Sequence, residues 1–262
     1  MIDFTTVVGV DLQHLEELEL VWPTWRALRP EILRHPLLWI CDGDVPSAQW
    51  QQRLALLEHP DCRIVSWTMA GVDQREKMLS GLVLATAAHV DTRWYLILDT
   101  DTAAVAPGEW LQRPWFEPDR GGREPVFVTN PWGYTKPPEA IERLDQWANA
   151  VPGLREHPPL ELPRTPGSRL LCHRRIISWC FFGNTAWTRE VARCCGPRLP
   201  IASQDTLLWY CAARRGDFFR TVSMKRFGWR HIHRRAGLRS ACREALTASK
   251  TMGEDNGCSF TS

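Results

Sequence analysis

Three observations point to one α/β domain carrying a mostly parallel central sheet. The first hundred residues alternate short apolar runs with stretches of helical spacing, the rhythm of repeated β–α units. The run at residues 94–98 is short, uncharged and in part β-branched or aromatic, as a strand buried in a parallel sheet must be. The clearest run, Trp94-Tyr95-Leu96-Ile97-Leu98, stops abruptly at Asp99-Thr100-Asp101. Ligands of open α/β sheets collect outside the carboxyl ends of such strands.

The elements follow in order. Phe4 to Val10 reads as the first strand, ending at Gly9-Val10-Asp11, and Leu12 to Leu28 as a helix interrupted by Pro23. Pro36 to Cys41 is a second strand that also runs into acids, Asp42-Gly43-Asp44. Ala48 to Leu57 follows as a helix with Ser47 at its N-cap, then Cys62 to Trp67 as a third strand. Gln74 to Ala88 is a long helix leading into the Trp94 strand. The second half is less regular. Pro125 to Thr129 and Ile176 to Phe182 suit strands; Pro137 to Asn149, Thr188 to Cys195 and Gln204 to Arg215 suit helices, the last closed by Gly216. His157 to Gly167 is Pro-rich and reads as a surface loop. From Ser249 onward little is apolar, and a disordered tail is expected over 249–262.

Composition bounds the function. A chain of 262 residues suits one large α/β domain, and no apolar run approaches a membrane span. The start, Met1-Ile2-Asp3-Phe4, lacks a signal-peptide pattern, and peripheral membrane association stays open. A net charge of +2 exerts no global pull on nucleic acid, although basic residues gather at Arg214-Arg215, Lys225-Arg226 and Arg230 to Arg235. Nine cysteines without a C-x-x-C pair argue against structural zinc or a disulfide framework and favour a reduced, cytoplasmic setting. Fourteen tryptophans suit either sugar-stacking surfaces or a bulky core.

The chemistry concentrates at Asp99 and Asp101. Two carboxylates one residue apart with no basic neighbour repel each other unless a cation joins them, and Mg²⁺ characteristically sits between carboxylates and phosphates. The bland alternative is an Asp-rich turn.

This order of features resembles the GT-A-fold glycosyltransferases, which transfer a sugar from a nucleotide-sugar donor. The resemblance spans roughly residues 4 to 235 and rests on Leu96-Ile97-Leu98-Asp99-Thr100-Asp101 as a D-x-D motif after an apolar strand. It implies a single GT-A-like α/β domain, with a Rossmann-like, mostly parallel sheet and a mixed second half. The domain would cover 1–248, with a nucleotide-binding half over 1–105 and an acceptor half over 106–248. Val10, Asp11 and Asp42 match the strand ends that hold base and ribose. Arg75 or Lys77 stands where a basic residue faces the diphosphate, and Thr100 lies within the motif. Asp99 and Asp101 would bind Mn²⁺ or Mg²⁺ together with a UDP- or GDP-sugar. His231 or His233, in His231-Ile232-His233, would supply a third ligand, with His231 preferred. A His ligand inclines the site toward Mn²⁺. Gly183-Asn184 matches the floor of the acceptor pocket, and Trp132 an acceptor platform. Asp205, opening a helix after Gln204, matches either the base of an inverting enzyme or part of a Gln-Asp pair in a retaining one. The acceptor would be a carbohydrate or another hydroxyl compound. Two other readings use the same acids: a haloacid-dehalogenase-like phosphohydrolase, with Asp99 and Asp101 as nucleophile and acid, and a non-catalytic nucleotide-sugar-binding domain.

Overall fold

A computed structural model describes residues 2–67, 74–106, 110–129, 132–163, 166, 170–175, 180–195, 204–222 and 228–255, with the side chains of 74–81, 132–136, 170–175, 195, 204–205 and 251–255 outside that description. In chain order the first half holds β1 (Phe4–Val10), α1 (Leu15–Leu28), β2 (Leu37–Asp42), α2 (Ser47–Ala55), β3 (Cys62–Trp67), α3 (Gln74–His89), β4 (Trp94–Leu98) and β5 (Thr102–Ala104). The second half holds β6 (Phe127–Thr129), β7 (Trp132–Lys136), α4 (Pro138–Asn149), β8 (Leu170–Arg175), β9 (Cys180–Asn184), α5 (Thr185–Cys195), α6 (Gln204–Arg215), β10 (Arg220–Thr221), β11 (Trp229–His231) and α7 (Arg235–Asp255).

Seven strands form the central sheet in the order β10-β6-β9-β4-β1-β2-β3. β1 pairs in parallel with β2 and β4, β2 with β3, and β6 with β10; only β9 runs against its neighbours, β4 and β6. The sheet is therefore mostly parallel with a mixed second half. Period-two alternation sends β4 into both layers: Trp94, Leu96 and Leu98 join one buried cluster, and Tyr95 and Ile97 the other. Half of the fourteen tryptophans are buried members of the first cluster. Trp22, Trp25, Trp39, Trp50, Trp94, Trp110 and Trp229 are all buried in it, which assigns much of the chain's tryptophan to packing.

Several boundaries differ from the sequence reading. Ser47 is the first residue of α2 rather than its cap, and its hydroxyl lies 3.2 Å from that of Ser66. α1 continues through Pro23 because that ring and the Glu19 carbonyl it leaves unbonded lie on the exposed face, where water can serve. α5 opens earlier than expected, at Thr185, because the Asn184 side chain accepts the Trp187 N–H at 3.1 Å and caps the turn. α7 runs to Asp255, through residues 249–255 where a disordered tail was expected; 256–262 lie outside the described residues. Its stability comes from packing, with Leu238, Cys242 and Ala245 buried in the first cluster. Among the described residues no helix is long and apolar enough to cross a membrane.

Gly183 has a packing reason to be glycine. A Cβ there would stand 2.1 Å from the Tyr95 ring, whose hydroxyl is held at 2.8 Å by Thr188. Neither partner can withdraw, since Tyr95 is buried and anchored at both ends. Gly183→Ala is expected to destabilise the fold by about 1–3 kcal/mol through overpacking, read as a lower urea midpoint with unchanged slope.

Candidate active site

The acidic pair sits at the carboxyl end of β4, between β1 and β9. After Leu98 the chain turns, with the Thr102 N–H donating to the Asp99 carbonyl at 3.1 Å, and enters β5. β5 leaves the central sheet and pairs antiparallel with β11, so that Thr102 faces His231, Ala103 faces Arg230 and Ala104 faces Trp229. One more bond, Ile232 N–H to the Asp101 carbonyl at 3.2 Å, extends the ribbon past β11. This pairing carries two imidazoles to the acids. His231 Nε2 lies 2.8 Å from Asp101 Oδ1 and 3.8 Å from Asp99 Oδ2, and His233 Nδ1 lies 3.7 Å from Asp101 Oδ2.

The ribbon is held from below. The Trp25 indole N–H donates to the Thr102 carbonyl at 2.6 Å, and Thr24 Oγ1 accepts the Ala104 N–H at 3.1 Å. Gly228, at φ +65°, lets the chain enter β11 where a Cβ would stand 2.4 Å from the Ala106 carbonyl oxygen and 2.6 Å from Arg29 Nη2. Arg29 is wholly buried, its guanidinium 5.8 Å from the Trp110 ring centre and 5.4 Å from that of Trp229. Burial draws its pKa down to about 10, against the opposing charges of Glu31 and Cys180. Arg235, opening α7, binds the start of α1 through Glu16 at 2.7 Å and the Gln13 carbonyl at 2.8 Å.

Electrostatics mark Asp99. Desolvation pushes its carboxyl up to about 7; His231 and His14 pull it down, and Asp101 adds to the rise. Its side chain is nonetheless 39% exposed, so it lies in a crowded cleft that solvent can still reach. A divalent cation would relieve this strain by adding positive charge between the carboxylates. The donor set of two carboxylates and imidazole suits such an ion. His14, absent from the sequence reading, also belongs here. Its Nδ1 lies 2.8 Å from Asp11 Oδ1, and its N–H donates to the same oxygen at 2.9 Å. Burial alone would lower the His14 pKa, but the hydrogen bond and charge of Asp11, with Glu17 and Asp101, raise it.

No protein family matches the sequence, and no curated protein matches it. Solved structures do. Core-mannan synthase A from Aspergillus fumigatus, in its Mn/GDP form, superposes with TM-score 0.53 at 10% identity over 88% of this chain and 75% of its own. The S. cerevisiae mannosyltransferase Ktr4p, in complex with GDP, gives 0.54 at 8% identity over 88% of this chain and 71% of its own. The fold is GT-A-like. A 4-diphosphocytidyl-2C-methyl-D-erythritol synthase from Anaerococcus prevotii gives 0.50 at 10% identity, over 94% of this chain and 99% of its own.

Within the GT-A-like frame the structure brings some predicted residues together and leaves others apart. Asp99, Asp101 and His231 converge, and Asp11 stands nearby at the end of β1 through His14. Thr100 is buried between the two acids. The Val10 side chain lies in the core, leaving its main chain toward the strand end. Asp42 is 8% exposed and accepts the Asp44 N–H at 3.0 Å, so one oxygen already holds its own turn. Arg75 lies in α3 and Asp205 in the first turn of α6, but their side chains, like that of Trp132, are outside the described residues. Part of the late basic cluster is committed to the fold, and Lys225 and Arg226 lie outside the described residues. Arg214 is buried on Asp145 and Asn149, and Arg215 pairs with Glu190 and Asp217. The phosphohydrolase alternative expects its acid pair near the opening of the fold, whereas here three β–α units precede it.

The clamp from α1 can be tested by itself. Trp25→Phe removes the donor to Thr102 and leaves a smaller ring, and an expected loss of about 1–3 kcal/mol follows. Chemical denaturation of the purified chain measures it.

Proposed function

We propose that the chain is a metal-dependent glycosyltransferase that moves a sugar, of hexosyl type, from a nucleoside-diphosphate donor to a hydroxyl acceptor. One observation carries the reading: in a GT-A-like fold, the D-x-D pair at the end of β4 meets His231, with Asp101 Oδ1 at 2.8 Å from its Nε2. Asp99, Asp101 and His231 would hold a divalent cation, Mn²⁺ or Mg²⁺, which when bound stabilises the departing diphosphate as a Lewis acid. Val10, through its main chain, with Asp11, Asp42 and Thr100, would orient the nucleotide. Arg75 would neutralise a phosphate. Asp205, in the first turn of α6, would stay ionised through the helix dipole and take the acceptor hydroxyl's proton. The presence of GDP in the two mannosyltransferase structures supports a GDP-sugar alongside UDP-sugars among donors to try.

A second reading has its own support. The likeness to the 4-diphosphocytidyl-2C-methyl-D-erythritol synthase, which this chain spans almost completely, favours nucleotidyl transfer. The two reactions differ in what they consume. A glycosyltransferase uses up a nucleotide-sugar and releases a nucleoside diphosphate; a nucleotidyltransferase uses a nucleoside triphosphate and releases pyrophosphate.

Two variants test the first reading. Asp101→Asn is expected to abolish metal-dependent UDP or GDP binding in calorimetry and to lower turnover on the order of a thousandfold, about 4 kcal/mol of lost leaving-group stabilisation. Unchanged, metal-independent binding would place the site elsewhere. Asp205→Asn is expected to lower kcat far more than donor affinity. If both fall together and NMR shows a product anomer matching the donor's, Asp205 positions the donor sugar in a retaining enzyme instead.

A further inference from the structure

The ribbon delivers two imidazoles to Asp101. Alternation along an extended chain puts residues i and i+2 on one side, and the bond from Ile232 N–H to the Asp101 carbonyl carries the ribbon pairing one residue beyond β11. Ile232 turns toward the first core cluster, and His231 and His233 turn to the other side together. Their rings stand 4.2 Å apart, centre to centre, nearly edge to face. Asp101, His231 and His233 each present one ligand atom, and these atoms all lie within 4.8 Å of one another. Ligand atoms about 2 Å from a shared ion are separated by roughly 3–4 Å, so a small turn of an exposed ring completes such a set. His233 is 81% exposed and has that freedom.

We propose that His231 and His233 both bind the cation, with Asp101 and with Asp99 beside them, making a two-imidazole site that selects Mn²⁺ or Co²⁺ over Mg²⁺. The inference rests on the cation site proposed above but not on sugar transfer. Its physical basis is ligand softness. Mg²⁺ prefers oxygen and holds its waters in strict octahedral geometry, whereas first-row transition ions gain from each imidazole nitrogen. One imidazole already inclines a site toward the transition ion, and a second widens that preference. The competing account is that His233 merely packs edge-on against His231 and shares the charge of Asp101.

The test uses the full chain stripped of metal, and the metal alone without nucleotide. Mn²⁺, Co²⁺ and Mg²⁺ are titrated into the parent protein and into His233→Gln, His231→Gln and Asp101→Asn, with thermal midpoints recorded to check folding. Nitrogen couplings in the pulsed paramagnetic resonance of bound Mn²⁺ count the imidazoles. The parent is expected to bind Mn²⁺ and Co²⁺ more tightly than Mg²⁺ and to show two coupled imidazoles. His233→Gln is expected to show one, to lose at least about tenfold in Mn²⁺ affinity, and to leave the Mg²⁺ affinity and thermal midpoint unchanged. The inference is overturned if the parent shows a single imidazole, if His233→Gln binds Mn²⁺ like the parent, or if Mg²⁺ binds the parent as tightly as Mn²⁺. Should His233→Gln be silent while Asp101→Asn loses the ion, the one-imidazole site proposed above stands and only this inference falls. Should Asp101→Asn also bind unchanged, both fall.

Discussion

The site depends on a three-residue pairing. β5 and β11 lie far apart in the chain, and without their ladder the two carboxylates would have neither His231 nor His233 beside them. Three ladder residues cannot be stable in water by themselves. The ribbon persists because it lies on a packed floor: the Trp25 indole and Thr24 hydroxyl grip β5, Gly228 lets β11 start against Ala106 and Arg29, and α7 closes over α1 through Arg235. The fold spends a large aromatic cluster on locating a small polar device.

That arrangement explains why a buried arginine and a pair of crowded carboxylates coexist. Arg29 lies under β11 between two tryptophan faces, where its charge is partly met by ring electrons and by the Leu28 carbonyl at 2.6 Å. Cys180, on β9 opposite Leu98, feels both Asp99 and Arg29, so the two charges share one low-dielectric neighbourhood. Asp99 therefore sits in an environment that resists its ionisation while remaining open on the cleft side. Such a place favours an incoming cation over either proton or water.

Much of the first half was legible because strands covered on both faces must be apolar throughout, and β1, β2 and β4 carry that signature up to their acidic ends. The mixed sheet was legible only in outline. β5 and β11 are too short to show a period, and their meaning lies in a partner far along the chain. α7 was missed because its stretch is rich in Arg, Ser and Thr; what makes it a helix is the burial of Leu238, Cys242 and Ala245, a tertiary fact. His14 fell inside the helix expected over Leu12 to Leu28, whereas α1 starts at Leu15 and the turn held by Asp11 shows where its ring stands. Gly183-Asn184, read as a pocket floor, also makes room for a ring and caps a helix start, roles no local pattern announced. Among the described residues the tryptophans report mainly on a core built of large rings.

The late position of β11 has a consequence for how the molecule is made. During synthesis, β1 to β4 and their helices leave the ribosome well before β11, and their parallel ladder joins segments of residues 4–98 alone. Asp99 and Asp101 then wait, unpartnered, until residues 228–233 emerge and fold back across the finished sheet. Nascent domains generally condense from the N-terminal side, and distant pairings form last. A chain cut before β11 would thus keep most of the scaffold and both acids yet lack the two imidazoles that the ribbon carries to them.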